Sequence, residues 1–187
     1  YVKWENHMVA SINLENVPAF LYRKDLHIDL AGYGDVSVDI GYGGNFFVLA
    51  DVHSLGLTIT KDTVNLLRSL SKDILAAANK VIKVAHPTNP AINYLDQVLF
   101  CQNVPEEDGG YLAQCIFGDA QADISPCGTG TSTRLAQRYF RGLIGLEETF
   151  VQKSVCGGAF HAKGLRETTL GGVPAIVPYV SCSDVHI

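Results

Sequence analysis

Alternating polar and apolar residues predict two β-strands early in the chain. Residues 24–30 (KDLHIDL) and 35–40 (DVSVDI) change between the two classes at nearly every step, which is typical of a strand with one buried face. Residues 32–35 (GYGD) between them have the composition of a tight turn, so we expect a hairpin. A glycine-rich run at 41–44 (GYGG) then interrupts the pattern, which indicates a bulge or the close approach of another backbone.

Apolar residues that recur at the period of a helix predict two helices. Over residues 61–84 apolar side chains recur every three or four positions, as on a surface helix with one buried stripe, and Thr60 is the expected N-cap. The segment HPTNP that follows cannot continue a helix. A second, shorter helix is expected over 131–141, and Gly142 ends it. The predicted buried stripe of the first helix consists of Leu67, Leu70, Ile74, Ala78 and Val81.

The remaining pattern predicts a sheet-rich single domain. An acidic turn at 105–110 separates the first two of the later strands. No internal repeat, linker or low-complexity segment divides the chain, so we expect one domain over residues 1–187. The fold class is therefore predicted as α+β with mainly antiparallel strands. The later strands are expected near residues 96–101, 111–117, 151–156, 159–165 and 173–180.

Composition and charge argue against two classes of partner. The chain is 47% apolar and 18% charged, as in an ordinary globular protein. Its net charge of −5 and the lack of any Lys/Arg cluster argue against a nucleic-acid surface. No apolar run approaches the roughly 20 residues that cross a bilayer, and no segment resembles a secretory leader. We therefore expect contact with neither nucleic acid nor membrane.

The five cysteines favour a reduced, cytoplasmic setting, because an odd number cannot all pair within one chain. None belongs to a C-x-x-C pair or lies near a suitably spaced histidine, so the spacing predicts no zinc site. Cys101, Cys115, Cys156 and Cys182 lie in apolar, strand-like runs and are predicted to be small buried side chains. Cys127 differs from them, since a proline precedes it and a glycine follows.

Residues 123–136 (DISPCGTGTSTRLA) carry the most specific functional signal. Cys127 stands directly before a run of Gly, Thr and Ser residues that can begin a helix. The first N–H groups of a helix lack intrahelical partners and lie at the positive end of its dipole, so they bind anions. The same field favours a thiolate over a thiol. The sequence thus predicts a site for chemistry on a small carboxylate compound.

The motif D-x-S-P-C-G-T-G-T-S at 123–132 resembles the second active-site cysteine motif of the proline racemase family. That family includes proline racemases, 4-hydroxyproline epimerases and trans-3-hydroxyproline dehydratases. The resemblance extends from about Val9 to the end of the chain. It implies one lobe of a two-lobed, diaminopimelate epimerase-like fold, in which a mainly antiparallel sheet curls around a central helix. Further matching segments are 16–20 (NVPAF), 39–47 (DIGYGGNFF), 86–87 (HP) and 117–123 (FGDAQAD).

The resemblance also implies that this chain is only the second-cysteine lobe. The first lobe, with its own cysteine in a Met-Cys-Gly-His-type motif, and a segment after Ile187 are expected to lie outside it. The active site needs that missing lobe, so the isolated chain is expected to fold but to be inactive. Whether the protein forms a homodimer stays open.

The residue roles follow from the same resemblance. It implies that two thiols invert the α-carbon of proline with no cofactor and no metal. Cys127 is then one acid/base, Asp123 contacts the substrate amine, and Phe117 is an apolar wall for the pyrrolidine ring. Backbone donors of residues 128–132 stabilise the substrate carboxylate as charge develops on it. The donor residues that the resemblance implies are Gly128, Thr129, Gly130 and Thr131.

Several alternatives stay open beside proline racemisation. A 4-hydroxyproline 2-epimerase is one, because part of the ring pocket lies in the missing lobe. A non-catalytic amino-acid or carboxylate-binding module is another. The dehydratases of the family typically carry Thr at the position of Cys127, which argues against that reaction. Ile124 departs from the family pattern, where Arg is common. A cysteine hydrolase or a P-loop enzyme lacks support, because no recognisable hydrolase His motif or P-loop Lys accompanies the cysteine.

Overall fold

The chain forms an α+β structure in which strands outnumber helices. The structure, a computed structural model, describes residues 1–5, 8–103 and 110–183. The helices are α1 (Val64–Val81) and α2 (Gly128–Phe140), and a 3-10 turn covers Val52–Leu55. The strands are β1 (Val2–Glu5), β2 (Met8–Glu15), β3 (Phe20–Leu30), β4 (Gly34–Tyr42), β5 (Phe46–Asp51), β6 (Gln97–Asn103), β7 (Tyr111–Phe117), β8 (Gln121–Ala122), β9 (Phe150–Ser154), β10 (Ala159–Leu170) and β11 (Val173–Cys182).

All of these strands belong to one curled sheet. Its order is β1-β2-β11-β10-β9-β7-β6-β5-β4-β3, and β8 pairs with β7 beside this path. Neighbouring strands are antiparallel except for the parallel pairs β5–β6 and β7–β9. Ala19 exchanges two backbone hydrogen bonds with Ile176 of β11, so the sheet bends back on itself without closing. The predicted α+β class with mainly antiparallel strands is confirmed.

Strand β5 is buried on both faces, and the two faces belong to different parts of the core. Its even-numbered residues from 46 to 50 join the cluster that contains the apolar stripe of α1. Phe47 and Leu49 belong instead to the cluster that contains Cys127. Since successive side chains of a strand point to opposite faces, an uninterrupted apolar run is what a strand covered on both sides requires.

Helix α2 lies inside the curl and packs against β3, β4, β5, β10 and β11. It begins at Gly128, earlier than the predicted start at 131, because local groups satisfy its first turn. The Cys127 sulfur accepts the Gly130 N–H, and the Ser132 hydroxyl donates to the Gly128 carbonyl. Glycine and threonine have weak intrinsic helix preference. The sequence of the first turn therefore did not predict that the helix starts at Gly128.

Helix α1 is shorter than predicted, because hydrogen bonds hold a separate turn before it. The Thr63 hydroxyl donates to the Thr58 carbonyl at 2.8 Å and accepts the Thr60 N–H at 2.9 Å. Thr60 therefore belongs to that turn and is not the N-cap. Val81 is 57% exposed, so it lies outside the buried stripe, which the other four predicted residues do form. No helix in the described ranges combines the length and apolar character needed to cross a bilayer.

Two of the four cysteines predicted to be buried are buried. Cys101 and Cys115 lie in the core, whereas Cys156 is exposed in the turn after β9 and Cys182 is half-buried at the end of β11. All five cysteines of the chain are free thiols. The predicted acidic turn at 105–110 lies, apart from its last residue, outside the described residues.

Gly43, the residue directly after β4, allows the chain to touch the start of α2. A Cβ at Gly43 would lie 2.6 Å from the backbone oxygen of Thr129 and 2.6 Å from the backbone nitrogen of Thr133. The Asn16 amide joins the same two elements, because it donates to the Gly43 carbonyl at 3.0 Å and to the Ser132 hydroxyl at 2.8 Å. The close approach predicted from the glycine-rich run is thus present, and its partner is the helix that begins at the predicted site.

A buried carboxylate fastens the other end of α2 to the sheet. Asp39 of β4 is 3% exposed and accepts hydrogen bonds from Gln137 at 2.5 Å and from two nitrogens of Arg141, both at 2.7 Å. The backbone N–H of Asp25 donates to it as well, at 2.9 Å. Burial alone would raise the pKa of Asp39, but the hydrogen bonds from Arg141, Gln137 and Asp25 outweigh burial and lower it.

We expect Gly43→Ala to lower the free energy of unfolding by about 3 kcal/mol, at the upper end of overpacking costs, because the new methyl has to displace backbone atoms. Gly145→Ala is the control, since a Cβ there meets only the Glu148 carboxylate at 3.7 Å. That control should change stability by less than about 1 kcal/mol. Urea denaturation measures both variants, and equal effects would contradict the close contact.

We expect Asp39→Asn to cost about 3 kcal/mol at neutral pH, because Arg141 loses its buried counter-charge. Asp35→Asn on the same strand changes only an exposed hydrogen bond with the His27 ring and should cost less than about 1 kcal/mol. The Asp39 contribution is present above the ordinary aspartate pKa of about 4 and is lost as the pH falls through the lower folded-state pKa. The stability difference between wild type and Asp39→Asn should therefore close in acid, and a pH-independent difference would refute this account.

Candidate active site

Cys127 is the N-cap of α2 and has a backbone conformation that residues other than glycine rarely adopt. Its φ is 66° and its ψ is 107°. The sulfur accepts the Gly130 N–H at 3.3 Å, and the Cys127 N–H donates to the Ser125 hydroxyl at 3.0 Å. A strained conformation of this kind persists only where the surroundings fix it, and such residues cluster at functional sites.

The loop that leads to Cys127 is tied to the sheet through its carbonyl oxygens. The three donors are buried polar side chains of β7 and β9, and their hydrogen bonds hold the loop that carries the strained residue. Sequence reasoning missed all three, although a polar residue at an inward position of an apolar strand is the signal that identifies them. The bonds run from Gln114 to the Asp123 carbonyl at 2.8 Å, from Ser154 to the Ile124 carbonyl at 2.6 Å and from Gln152 to the Pro126 carbonyl at 2.7 Å.

Folding brings a second thiol to Cys127. The Cys115 sulfur of β7 lies within 4.8 Å of the Cys127 sulfur. Hydrogen bonding from the Cys115 thiol is the largest cause of a lowered pKa at Cys127. Burial opposes the lowering, while the Gly130 N–H and the Thr129 hydroxyl support it. The same bond, together with burial, raises the pKa of Cys115. The pair therefore holds one proton on Cys115 and favours a thiolate at Cys127.

Asp123 lies beside both sulfurs. One carboxylate oxygen of Asp123 and the two sulfurs of Cys115 and Cys127 lie within 4.8 Å of one another. The Asp123 carboxylate also accepts the Ser125 N–H at 2.8 Å, which fixes its orientation. Its negative charge raises the pKa of Cys127 and so acts against the thiolate. Two anionic groups this close favour a cation next to them.

The first turn of α2 leaves two backbone donors for an anion. The Gly130 N–H is used by the Cys127 sulfur, and the Thr131 N–H donates to the Cys127 carbonyl at 2.8 Å. Thr131 is also fully buried. In the described part of the chain, the N–H groups of Gly128 and Thr129 have no hydrogen-bond partner, and both residues are half-buried. They are the donors that a carboxylate can reach.

Phe117 completes the group of predicted residues that the fold brings together. It is half-buried and packs against the cluster that contains Cys127. Asp123 therefore lies near Cys127, Phe117 packs beside the same thiol, and Gly128 and Thr129 follow it in the first turn of α2. Gly130 and Thr131 of that turn are buried. Ile124, which departs from the family motif, is 76% exposed.

The chain is similar to known proteins over most of its length. The model of the proline racemase family matches residues 1–185. The chain belongs to this family. The trans-3-hydroxy-L-proline dehydratase of Burkholderia cenocepacia is 37% identical over 188 residues, which cover 100% of this chain and 56% of that protein. Proline racemase A of Trypanosoma cruzi is 38% identical over 166 residues, which cover 88% of this chain and 39% of that protein.

A solved structure matches the fold closely. The hydroxyproline epimerase of Agrobacterium vitis, with bound trans-4-hydroxy-L-proline, superimposes with a TM-score of 0.91 at 31% identity. The match covers 97% of this chain and 52% of the epimerase chain. This member of the proline racemase family thus has the hydroxyproline epimerase fold, and it spans about half the length of the relatives it matches.

We expect Cys115→Ala to raise the pKa of Cys127, because the variant removes the hydrogen bond that most favours the thiolate. Iodoacetamide labelling of Cys127, followed against pH by peptide mass spectrometry, should then shift to higher pH. Cys101→Ala is the control, since it also removes a buried thiol, one that donates to the Leu99 carbonyl instead. An identical labelling profile in wild type and Cys115→Ala would contradict the pairing.

Proposed function

We propose that the chain is one lobe of a cofactor-independent proline racemase in which Cys127 exchanges the α-proton of the substrate. The observation that carries this proposal is the environment of the Cys127 thiol. It lies at a helix N-terminus, in a strained conformation, with three hydrogen-bonding groups that favour its thiolate. A thiolate populated near neutral pH can remove a proton, and the resulting thiol can return one.

The other residues of the site suit an amino acid. The Asp123 carboxylate is available to a substrate ammonium group, and a charge-assisted contact of this kind is strong. The free N–H groups of Gly128 and Thr129 suit the substrate carboxylate. Phe117, half-buried beside Cys127, offers an apolar surface to a pyrrolidine ring. These contacts orient the α-carbon towards the sulfur.

Removing an α-proton places negative charge on the carboxylate as the α-carbon becomes planar. Backbone donors already aimed at that carboxylate stabilise the developing charge without reorganising, and they replace the electron sink that a cofactor would supply. Inversion also needs an acid on the opposite face of the substrate. That second thiol would come from the part of the relatives' length that this chain does not span, so the isolated lobe should fold but not racemise.

A 4-hydroxyproline 2-epimerase is the second candidate, and one observation favours it. The A. vitis epimerase, whose fold matches this chain with a TM-score of 0.91, binds trans-4-hydroxy-L-proline. Both reactions use the same groups of this lobe, because they invert the same carbon. The relatives also include dehydratases, but the thiol at position 127 supports proton exchange on both faces in preference to dehydration.

The test uses the full-length protein that carries this chain. We expect incubation in D₂O with L-proline or with trans-4-hydroxy-L-proline to give α-deuteration and the epimer of one of them, measured by NMR. Cys127→Ser should lower the rate by at least about 10³-fold, because it removes one of two acid/base groups. Cys101→Ser, a buried thiol of β6 outside the site, should keep the activity.

Each result distinguishes the candidates. The substrate that epimerises separates the racemase from the epimerase. Racemisation by the 187-residue chain alone would refute the two-thiol mechanism. Binding of either amino acid without any deuterium exchange would reject the enzyme in favour of a non-catalytic binding module.

A further inference from the structure

Three groups that bind soft metal ions converge where the sequence predicted no metal site. The Cys115 sulfur, the Cys127 sulfur and one Asp123 oxygen lie within 4.8 Å of one another. The spacing in the sequence does not resemble that of a zinc motif, because the end of β7, a turn and the short strand β8 separate Cys115 from the other two residues. The fold alone therefore creates this set of ligands.

We propose that Cys115, Asp123 and Cys127 bind a thiophilic divalent cation such as Zn²⁺, with one coordination position left open. Zn²⁺ binds thiolate at about 2.3 Å and carboxylate oxygen at about 2.0–2.2 Å, in a tetrahedral arrangement. Two sulfurs on one such ion lie about 3.8 Å apart, and a sulfur and an oxygen about 3.5 Å apart. Side-chain rotations that move each ligand atom by less than about 1 Å bring the present cluster to these separations.

The charges of the ligands outweigh the field that opposes a cation. The N-terminus of α2 carries about +0.5 of an elementary charge and disfavours a cation near it. Two thiolates and one carboxylate carry about three negative charges at shorter range. Cys115 has to lose the proton that it shares with Cys127, and a bound metal ion deprotonates a coordinating thiol in this way. Binding should therefore release about one to two protons for each ion.

The surroundings of the ligands are already fixed. The Gly130 N–H donates to the Cys127 sulfur, and the Ser125 N–H donates to the Asp123 carboxylate. The Asp123 N–H donates to the Cys115 carbonyl at 3.0 Å, which joins two of the ligand residues through the backbone. Groups of this kind orient the ligands of a metal site and raise its affinity.

The cation and the substrate would compete for the same atoms. An ion held by Cys127 occupies the proposed acid/base group, and its bond to Asp123 occupies the proposed amine contact. Binding of the ion would therefore inhibit the full-length protein. This consequence rests on the proposed function, whereas the binding itself does not.

The test measures binding directly. Full-length protein, reduced and freed of metal, is titrated with Zn²⁺ by calorimetry, and Co²⁺ is used in parallel for the visible absorption of tetrahedral thiolate coordination. All proteins carry Cys156→Ser, because that exposed thiol can bind metal by itself. We expect about one ion per chain. Cys115→Ala and Asp123→Asn should each weaken binding by at least about tenfold, since even changes around the ligands cost that much.

Cys101→Ala is the matched control and should bind as tightly as the parent, because its thiol belongs to β6 and donates to a backbone carbonyl. Circular dichroism verifies that each variant is folded, and Asp123→Asn keeps the test available if Cys115→Ala does not fold. No ion bound to the parent, or unchanged affinity in both ligand variants, would overturn the proposal. The experiment measures binding and not activity. A negative result would therefore reject the metal site without affecting the racemase proposal, which has its own test.

Discussion

The hydrogen bond from the Gly130 N–H to the Cys127 sulfur joins the fold to the chemistry of the site. It caps α2, so the helix can begin at Gly128, and it directs the positive end of the helix at the thiol. The cost is a positive φ at Cys127, which three buried side chains of the sheet help to maintain by holding the preceding loop. The thiol is therefore the cap of the helix and also a group whose pKa is lowered.

Two contacts keep that helix in position against the sheet. At its first turn, Gly43 at the end of β4 lets the two backbones come so close that no side chain fits between them. Beyond its last turn, Arg141 forms two hydrogen bonds with the buried Asp39 of the same strand. Strand β4 thus restrains both ends of α2. Rigid support of this kind suits a site in which donors must already point at the substrate when charge develops.

Cys115 changes the chemical character of the site. Without Cys115, the thiolate of Cys127 would be favoured only by the helix N-terminus, the Gly130 N–H and the Thr129 hydroxyl. The neighbouring thiol is the largest cause of the lowered pKa at Cys127. The same proximity, with Asp123 as a third group, gives the site the ligands of a soft metal ion. In the two proposals, proton exchange and cation binding depend on the same three side chains and would exclude each other.

The sequence by itself determined features that depend on neighbouring residues. The hairpin of β3 and β4, the α+β class, the buried stripe of α1 and the pairing of Asp123 with Cys127 in one motif all follow from local periods and short spacings. The tertiary structure alone decided which distant residues meet. Cys115 and Gln152 reach the site through strand register, and the start of α2 depends on a sulfur cap and a close strand. Such contacts cannot be predicted from a local stretch of sequence. The curl of the sheet and the register of its strands set the distances between these residues, and no hydrophobic period along the chain records them.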